Sequence, residues 1–146
     1  MSSFTSELRY TNTGKNKHGR QIVRLSLPFT YRVGSSENKF GVVVPQGFET
    51  DLASVPRLFH KIFPPDGKYA KAAVLHDWLY RTGLVDRWMA DAIFYDAMRN
   101  RNLPEGHRVG WWTAQAVYWS VRAFGWYGYD PVLDPAGDRL THPLMC

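Results

Sequence analysis

The sequence predicts an α+β fold: a small antiparallel sheet packed on a three-helix core. Three observations predict it. Apolar and polar residues alternate over 22–33 and again over 40–44, the period-two signature of strands with one wet face. From about residue 54 the apolar spacing changes to three and four, the period of a helix. All strand signal precedes all helix signal, which favours α+β over an alternating α/β order.

The first strand segment places Val23, Leu25, Leu27, Phe29, Tyr31 and Val33 on one buried face, with Arg24 and Arg32 on the other. Pro28 cannot donate a ladder hydrogen bond, so it belongs on an edge strand or at a bulge. Residues 34–39 carry turn chemistry, and Phe40, Val42 and Val44 resume the alternation. The pair reads as a hairpin over about 22–45, ending at Pro45-Gln46-Gly47. A weaker strand signal lies near Leu8–Thr11.

A first helix is predicted over about 68–81, through Tyr69, Ala72, Ala73, His76, Leu79 and Tyr80, with Gly83 as its C-cap. A second fits 86–101, with Asp86 as N-cap and Met89, Ile93 and Ala97 on one face. A third fits 106–124. It is apolar nearly all round, which predicts the central, most buried helix, with Trp112, Ala116 and Val117 inside.

The 146 residues fit one domain, 1–146, with an irregular tail over 127–146 rich in Gly and Pro. Hydrophobic residues at 45% and charged residues at 21% match a chain that folds and not a disordered one. The single cysteine, Cys146, excludes an internal disulfide framework. No apolar leader and no long apolar run predict neither a signal peptide nor a transmembrane segment. The net charge of +5 permits association with nucleic acid, anionic lipid or an anionic envelope or wall polymer, and identifies none of them. Nucleic acid is not expected as a specific ligand, because no basic recognition helix is visible. The basic run Lys15, Lys17, His18 and Arg20 reads as a solvated loop.

Three polar signals interrupt the apolar pattern: Thr50 to Pro56 directly after the hairpin, His76 to Tyr80 in the first helix, and Asp91 in the second. His76 shares a helical stripe with Ala72, Ala73, Leu79 and Tyr80, so it faces inward and must place two ring nitrogens. Asp77 follows at once and can flank the same cleft. Asp91 sits between Ala90 and Ala92 on the next, antiparallel helix, at about the level of His76. A carboxylate there needs a partner, and His76 is one; Arg87 and Tyr95 on its own helix are the alternatives. His76 and Asp91 are therefore the catalytic candidates, as base and orienting group. Asp77 and Asp51 are candidate ligands for a divalent cation, calcium or zinc. Tyr80 either orients a carboxylate or packs. Ser54, ahead of Val55-Pro56, reads as a helix N-cap or a nucleophile, and no Gly-x-Ser-x-Gly elbow surrounds it. No other cofactor site is visible.

The segments Gly47–Arg57, Ala72–Tyr80 and Ala90–Phe94, with Arg122-Ala123-Phe124-Gly125 later, resemble a phage and prophage family called domain of unknown function 1353. The resemblance implies a viral or prophage origin, and hence the host cytoplasm or the virion as location. His76-Asp77-x-x-Tyr80 followed by Asp91-x-x-Phe94-Tyr95 is also similar to secreted phospholipases A2, especially the short microbial kind. That similarity implies His76 as the base that activates water, Asp77 as a calcium ligand and Asp91 as the group that orients the histidine. The chain departs from those enzymes in having no disulfides, and Lys68 to Leu75 stands where they carry a glycine-rich calcium loop. The expected activity is metal-assisted or dyad hydrolysis of an ester, amide or phosphoester in an envelope or wall. The alternative is a non-enzymatic virion or tail-associated protein, with other virion proteins as partners.

Overall fold

The computed structural model describes residues 3–5, 7–34, 40–51, 70–100, 108–127, 129 and 131. Two three-stranded antiparallel sheets precede three helices, so the fold is α+β. The first sheet has the order β1-β4-β5, with β1 at Ser3–Phe4, β4 at Phe29–Arg32 and β5 at Gly41–Val44. The second has the order β2-β3-β6, with β2 at Tyr10–Lys15, β3 at Gln21–Leu25 and β6 at Glu49–Thr50.

The strand expected across 22–33 is two strands in two sheets. Val23 and Leu25 in β3 and Phe29 and Tyr31 in β4 are all buried, as the alternation requires. Ser26-Leu27-Pro28 breaks the chain between them, and Leu27 is exposed instead of buried. Val33, beyond the end of β4, is only partly covered. The break is anchored by ladder bonds that β3 makes elsewhere: Leu25 N donates to Phe48 O at 3.0 Å and Gly47 N to Leu25 O at 2.9 Å. Pro28 thus precedes a strand that has a partner on each side, where its missing N–H costs nothing. The expected hairpin is formed by β4 and β5, which pair Phe29 with Val44 and Tyr31 with Val42.

The β2–β3 hairpin turns at Asn16–Gly19. Asn16 Oδ1 accepts from His18 N at 2.9 Å and from Arg20 N at 3.0 Å, and Gly19 takes the positive φ of 75° that the turn demands. This leaves the Asn16 amide nitrogen free to reach across the molecule.

Helix α1 spans Ala70–Thr82, α2 Arg87–Arg99 and α3 Trp111–Phe124; a 3₁₀ turn, Gly125–Tyr127, follows α3. Gly83, at φ 58°, ends α1 with its N–H on Leu79 O at 3.0 Å. Asp86 caps α2, accepting from Met89 N at 2.8 Å. The short link, Gly83 to Asp86, makes α1 and α2 antiparallel neighbours.

The central helix is α1, not α3. Only Lys71, Asp77 and Arg81 of α1 escape burial. In α3 only Ala114, Val117, Ser120 and Val121 are buried, while Ala116 and Trp112 are exposed. The reason is position: among the described elements α1 packs on both α2 and β5, whereas α3 packs chiefly on α2. The buried apolar residues of sheets and helices make one continuous cluster, and Tyr31 Oη donates to Asp96 at 2.6 Å to tie the first sheet to α2. No helix among the described residues is long and apolar enough to cross a membrane. Most of the tail over 127–146 lies outside the described residues.

Candidate active site

His76 and Tyr80 stand one turn apart on the same face of α1, so both reach the same point on α2. That point is Asp91. His76 Nε2 lies 2.8 Å from Asp91 Oδ1, and Tyr80 Oη donates to the same oxygen at 2.5 Å. Arg122, from the last turn of α3, donates to Asp91 Oδ2 at 2.8 Å. Three helices therefore converge on one carboxylate that is 0% exposed. The imidazole is wedged between the rings of Tyr80, at 4.0 Å between centroids, and Phe94, at 4.6 Å. Neither alternative partner on α2 is used: Arg87 donates to Arg122 O at 3.2 Å, and Tyr95 accepts from Gln115 at 3.1 Å.

The electrostatics follow from burial and partners. Burial alone would raise the Asp91 pKa, but hydrogen bonds from His76, Tyr80 and Arg122 more than reverse this, and the carboxyl is held below its ordinary range. Burial, reinforced by the hydrogen bond to Asp91 and by its charge, pushes the Tyr80 phenol well above the usual tyrosine value. Asp91 is thus an ionised acceptor and Tyr80 a neutral donor at neutral pH. An ionised carboxylate has no proton to give, so His76 Nε2 must carry the hydrogen of their bond. In the neutral imidazole the basic lone pair then lies on Nδ1. That atom is buried and has no hydrogen-bond partner among the described residues.

His76 also forms part of the wall of a cleft of about 630 Å³. The cleft brings together four of the sequence candidates: His76, Asp77, Tyr80 and Asp51. Asp91 stands behind them, bonded to two of the wall residues. Asp77 Oδ2 accepts from the Thr50 hydroxyl of β6. Asp51 Oδ2 accepts from Asn16 Nδ2 at 2.9 Å and from Arg20 Nη1 at 3.3 Å. The basic loop is therefore not purely solvated, because Arg20 is drawn into the site. Among the described residues, no three His, Cys, Asp or Glu side chains form a group that could hold a metal ion. Ser54 lies outside the described residues.

Sequence reasoning missed Arg122, Thr50, Asn16 and Arg20. A signal existed for Arg122: it is the only charged residue of α3, and a lone charge in an apolar helix needs a buried partner. For the other three there was none, since their contacts span 27 to 35 residues.

The arrangement defines a class in outline: an α+β protein whose buried, charge-balanced His–Asp pair backs an open cleft of mixed polar and apolar lining. The chain belongs to the family described as "Protein of unknown function (DUF1353)", whose model matches residues 23–121. That span holds His76, Asp77, Tyr80, Asp91 and Asp51. The chain is 32% identical over 129 residues to "Uncharacterized protein y4jT" of Sinorhizobium fredii (strain NBRC 101917 / NGR234). The match covers 87% of this chain and 34% of that protein, so the chain spans about a third of that relative's length. No solved structure matches the chain.

Proposed function

We propose that the protein is a hydrolase in which His76 activates water and Asp91 orients it. One observation carries the reading: His76 has one ring nitrogen fixed by an ionised carboxylate and the other without a partner among the described residues, on a residue that lines a cleft. A buried polar atom without a partner costs about 1–3 kcal/mol. Nδ1 is buried in this structure; a water or substrate group admitted to it from the cleft would remove that cost and put the reacting proton beside the basic lone pair. The His-Asp-x-x-Tyr likeness to phospholipases A2 points the same way, as analogy of site and not of fold.

Charged and polar groups (Asn16, Arg20, Arg81) and apolar ones (Phe48, Phe124, Tyr127) share the cleft. This mixture suits an ester, amide or phosphoester with both an anionic and an apolar part, as envelope and wall polymers have. Asp77 and Asp51 are the residues that would take a calcium or zinc ion if the hydrolysis is metal-assisted. The phage or prophage setting, in host cytoplasm or virion, belongs to the same proposal.

The test is a panel of ester, amide and phosphoester substrates, run on wild type and His76→Gln with and without calcium or zinc. Turnover of one class, reduced about 10²–10⁴-fold in a variant that is still folded at the assay temperature, is the expected result. No turnover of any class, with a large loss of stability in the variant, refutes it and leaves the dyad as a packing device in a structural virion protein. A cation that acts through Asp77 raises the melting temperature of wild type but not of Asp77→Asn.

A further inference from the structure

Helix α3 has two apolar faces, and the fold uses only one. Ala114, Val117 and Val121 are buried, and α2 lies beneath the helix. At 100° per residue, Trp112, Ala116, Trp119 and Ala123 fall within an arc of about 60° on the outer side. All four are exposed, Trp112 at 81% and Trp119 at 64%. Past the helix, Trp126 and Tyr127 of the 3₁₀ turn are exposed at 57% and 77%, and Phe124, at the helix end and outside this arc, at 65%. Aromatic groups of this size, clustered and open to water, mark an interaction surface.

We propose that this outer face of α3 and the 3₁₀ turn after it dock on an anionic lipid bilayer surface. Charge and chemistry select the occupant. Residues 108–127 contain no carboxylate and two arginines, of which Arg122 is held by the buried Asp91, and the whole chain carries +5. Pairing this face with a second copy brings two such chains together against repulsion; anionic headgroups reverse the sign. Indole and phenol rings have an apolar body and a polar N–H or O–H, the combination that settles at the level of lipid headgroups. At 14 residues α3 is too short to span a bilayer, so it lies along the surface. Tyr127 belongs both to this surface and to the wall of the cleft, so docking brings the cleft to the lipid surface. The inference stands whether or not the cleft hydrolyses anything, because binding is read without turnover.

The experiment is co-sedimentation of the full chain with vesicles of phosphatidylcholine alone or mixed equally with phosphatidylglycerol, with tryptophan emission read in parallel. Wild type pellets with the mixed vesicles and its emission shifts to the blue. Trp112→Ser combined with Trp119→Ser lowers the partition about tenfold or more. Both side chains lie outside the core, so the melting temperature stays that of wild type. Equal binding by the double variant, no binding by wild type, or equal binding to the neutral vesicles overturns the proposal. So does a wild-type dimer in sedimentation equilibrium that the double variant abolishes, if neither protein binds vesicles.

Discussion

Replacing Asp91 by asparagine keeps the shape of the side chain and removes its charge. In the native site Oδ1 accepts from both His76 and Tyr80, and Oδ2 accepts from Arg122. An asparagine has one acceptor oxygen and one donor nitrogen. The cheaper orientation keeps the oxygen toward His76 and Tyr80, which sets the amide nitrogen against Arg122 Nη1, donor facing donor. The Arg122 bond is lost, at about 1.5–3 kcal/mol for a hydrogen bond to a charged group. The two bonds that remain become neutral and weaken. Arg122 is 24% exposed at its side chain and can turn partly to water, which limits the damage. The total is about 2–4 kcal/mol, below the 3–5 kcal/mol typical of stripping a fully buried ion pair. For a chain of this length that lowers the melting temperature by roughly 5–15 °C. Urea unfolding at neutral pH measures the free energy, and calorimetry measures the midpoint. A cycle with Arg122→Met adds the coupling, expected at about 1–2 kcal/mol. A variant within about 0.5 kcal/mol of wild type, or strict additivity with Arg122→Met, refutes the account of Asp91 as the shared acceptor.

Further outcomes follow from the same contacts. A Cβ added at Gly125 would lie 2.7 Å from Tyr80 Oη, a hydroxyl pinned on Asp91, so Gly125→Ala costs about 1–3 kcal/mol in urea unfolding; Gly125→Ala combined with Tyr80→Phe costs less than the sum. The depressed Asp91 pKa gives stability that is complete above its ordinary value of 3.8 and lost as pH falls from there through the native value. The raised Tyr80 pKa gives stability that is present below its ordinary value of 10.0 and lost as pH rises beyond it; Tyr80→Phe removes that contribution, which a comparison of melting temperatures at pH 7 and above 10 would show.

The sequence made the inner pair of the site legible because burial of polar groups is a local anomaly. His76 and Asp91 each interrupt an apolar stripe, and a short helical link fixes which stripes face each other. Side-chain parity was legible for the same reason: Val23, Leu25, Phe29 and Tyr31 all point inward. The end of β3 was not, because parity runs unbroken through Leu27 while the ladder partners that end the strand, Gly47 and Phe48, lie more than twenty residues on. Helix α3 was misplaced because hydrophobicity reports that a surface avoids water, not which body covers it. The grips of Thr50 on Asp77 and of Asn16 and Arg20 on Asp51 depend on how the sheet meets α1, which no local pattern encodes.

The shared carboxylate also sets an order of assembly. Tyr80 and His76 reach Asp91 across 11 and 15 residues, within one helical hairpin; Arg122 reaches it across 31. Closing the shorter loops costs less chain entropy, so the α1–α2 hairpin can form its polar joint before α3 arrives. Until then Asp91 is a carboxylate with two donors and an open third side. The last helix to dock supplies the compensating cation, and its arrival is what completes the charge balance of the core. Kinetically, Tyr80→Phe should slow folding while Arg122→Met mainly speeds unfolding; the reverse partition in a chevron would place α3 early and the hairpin late.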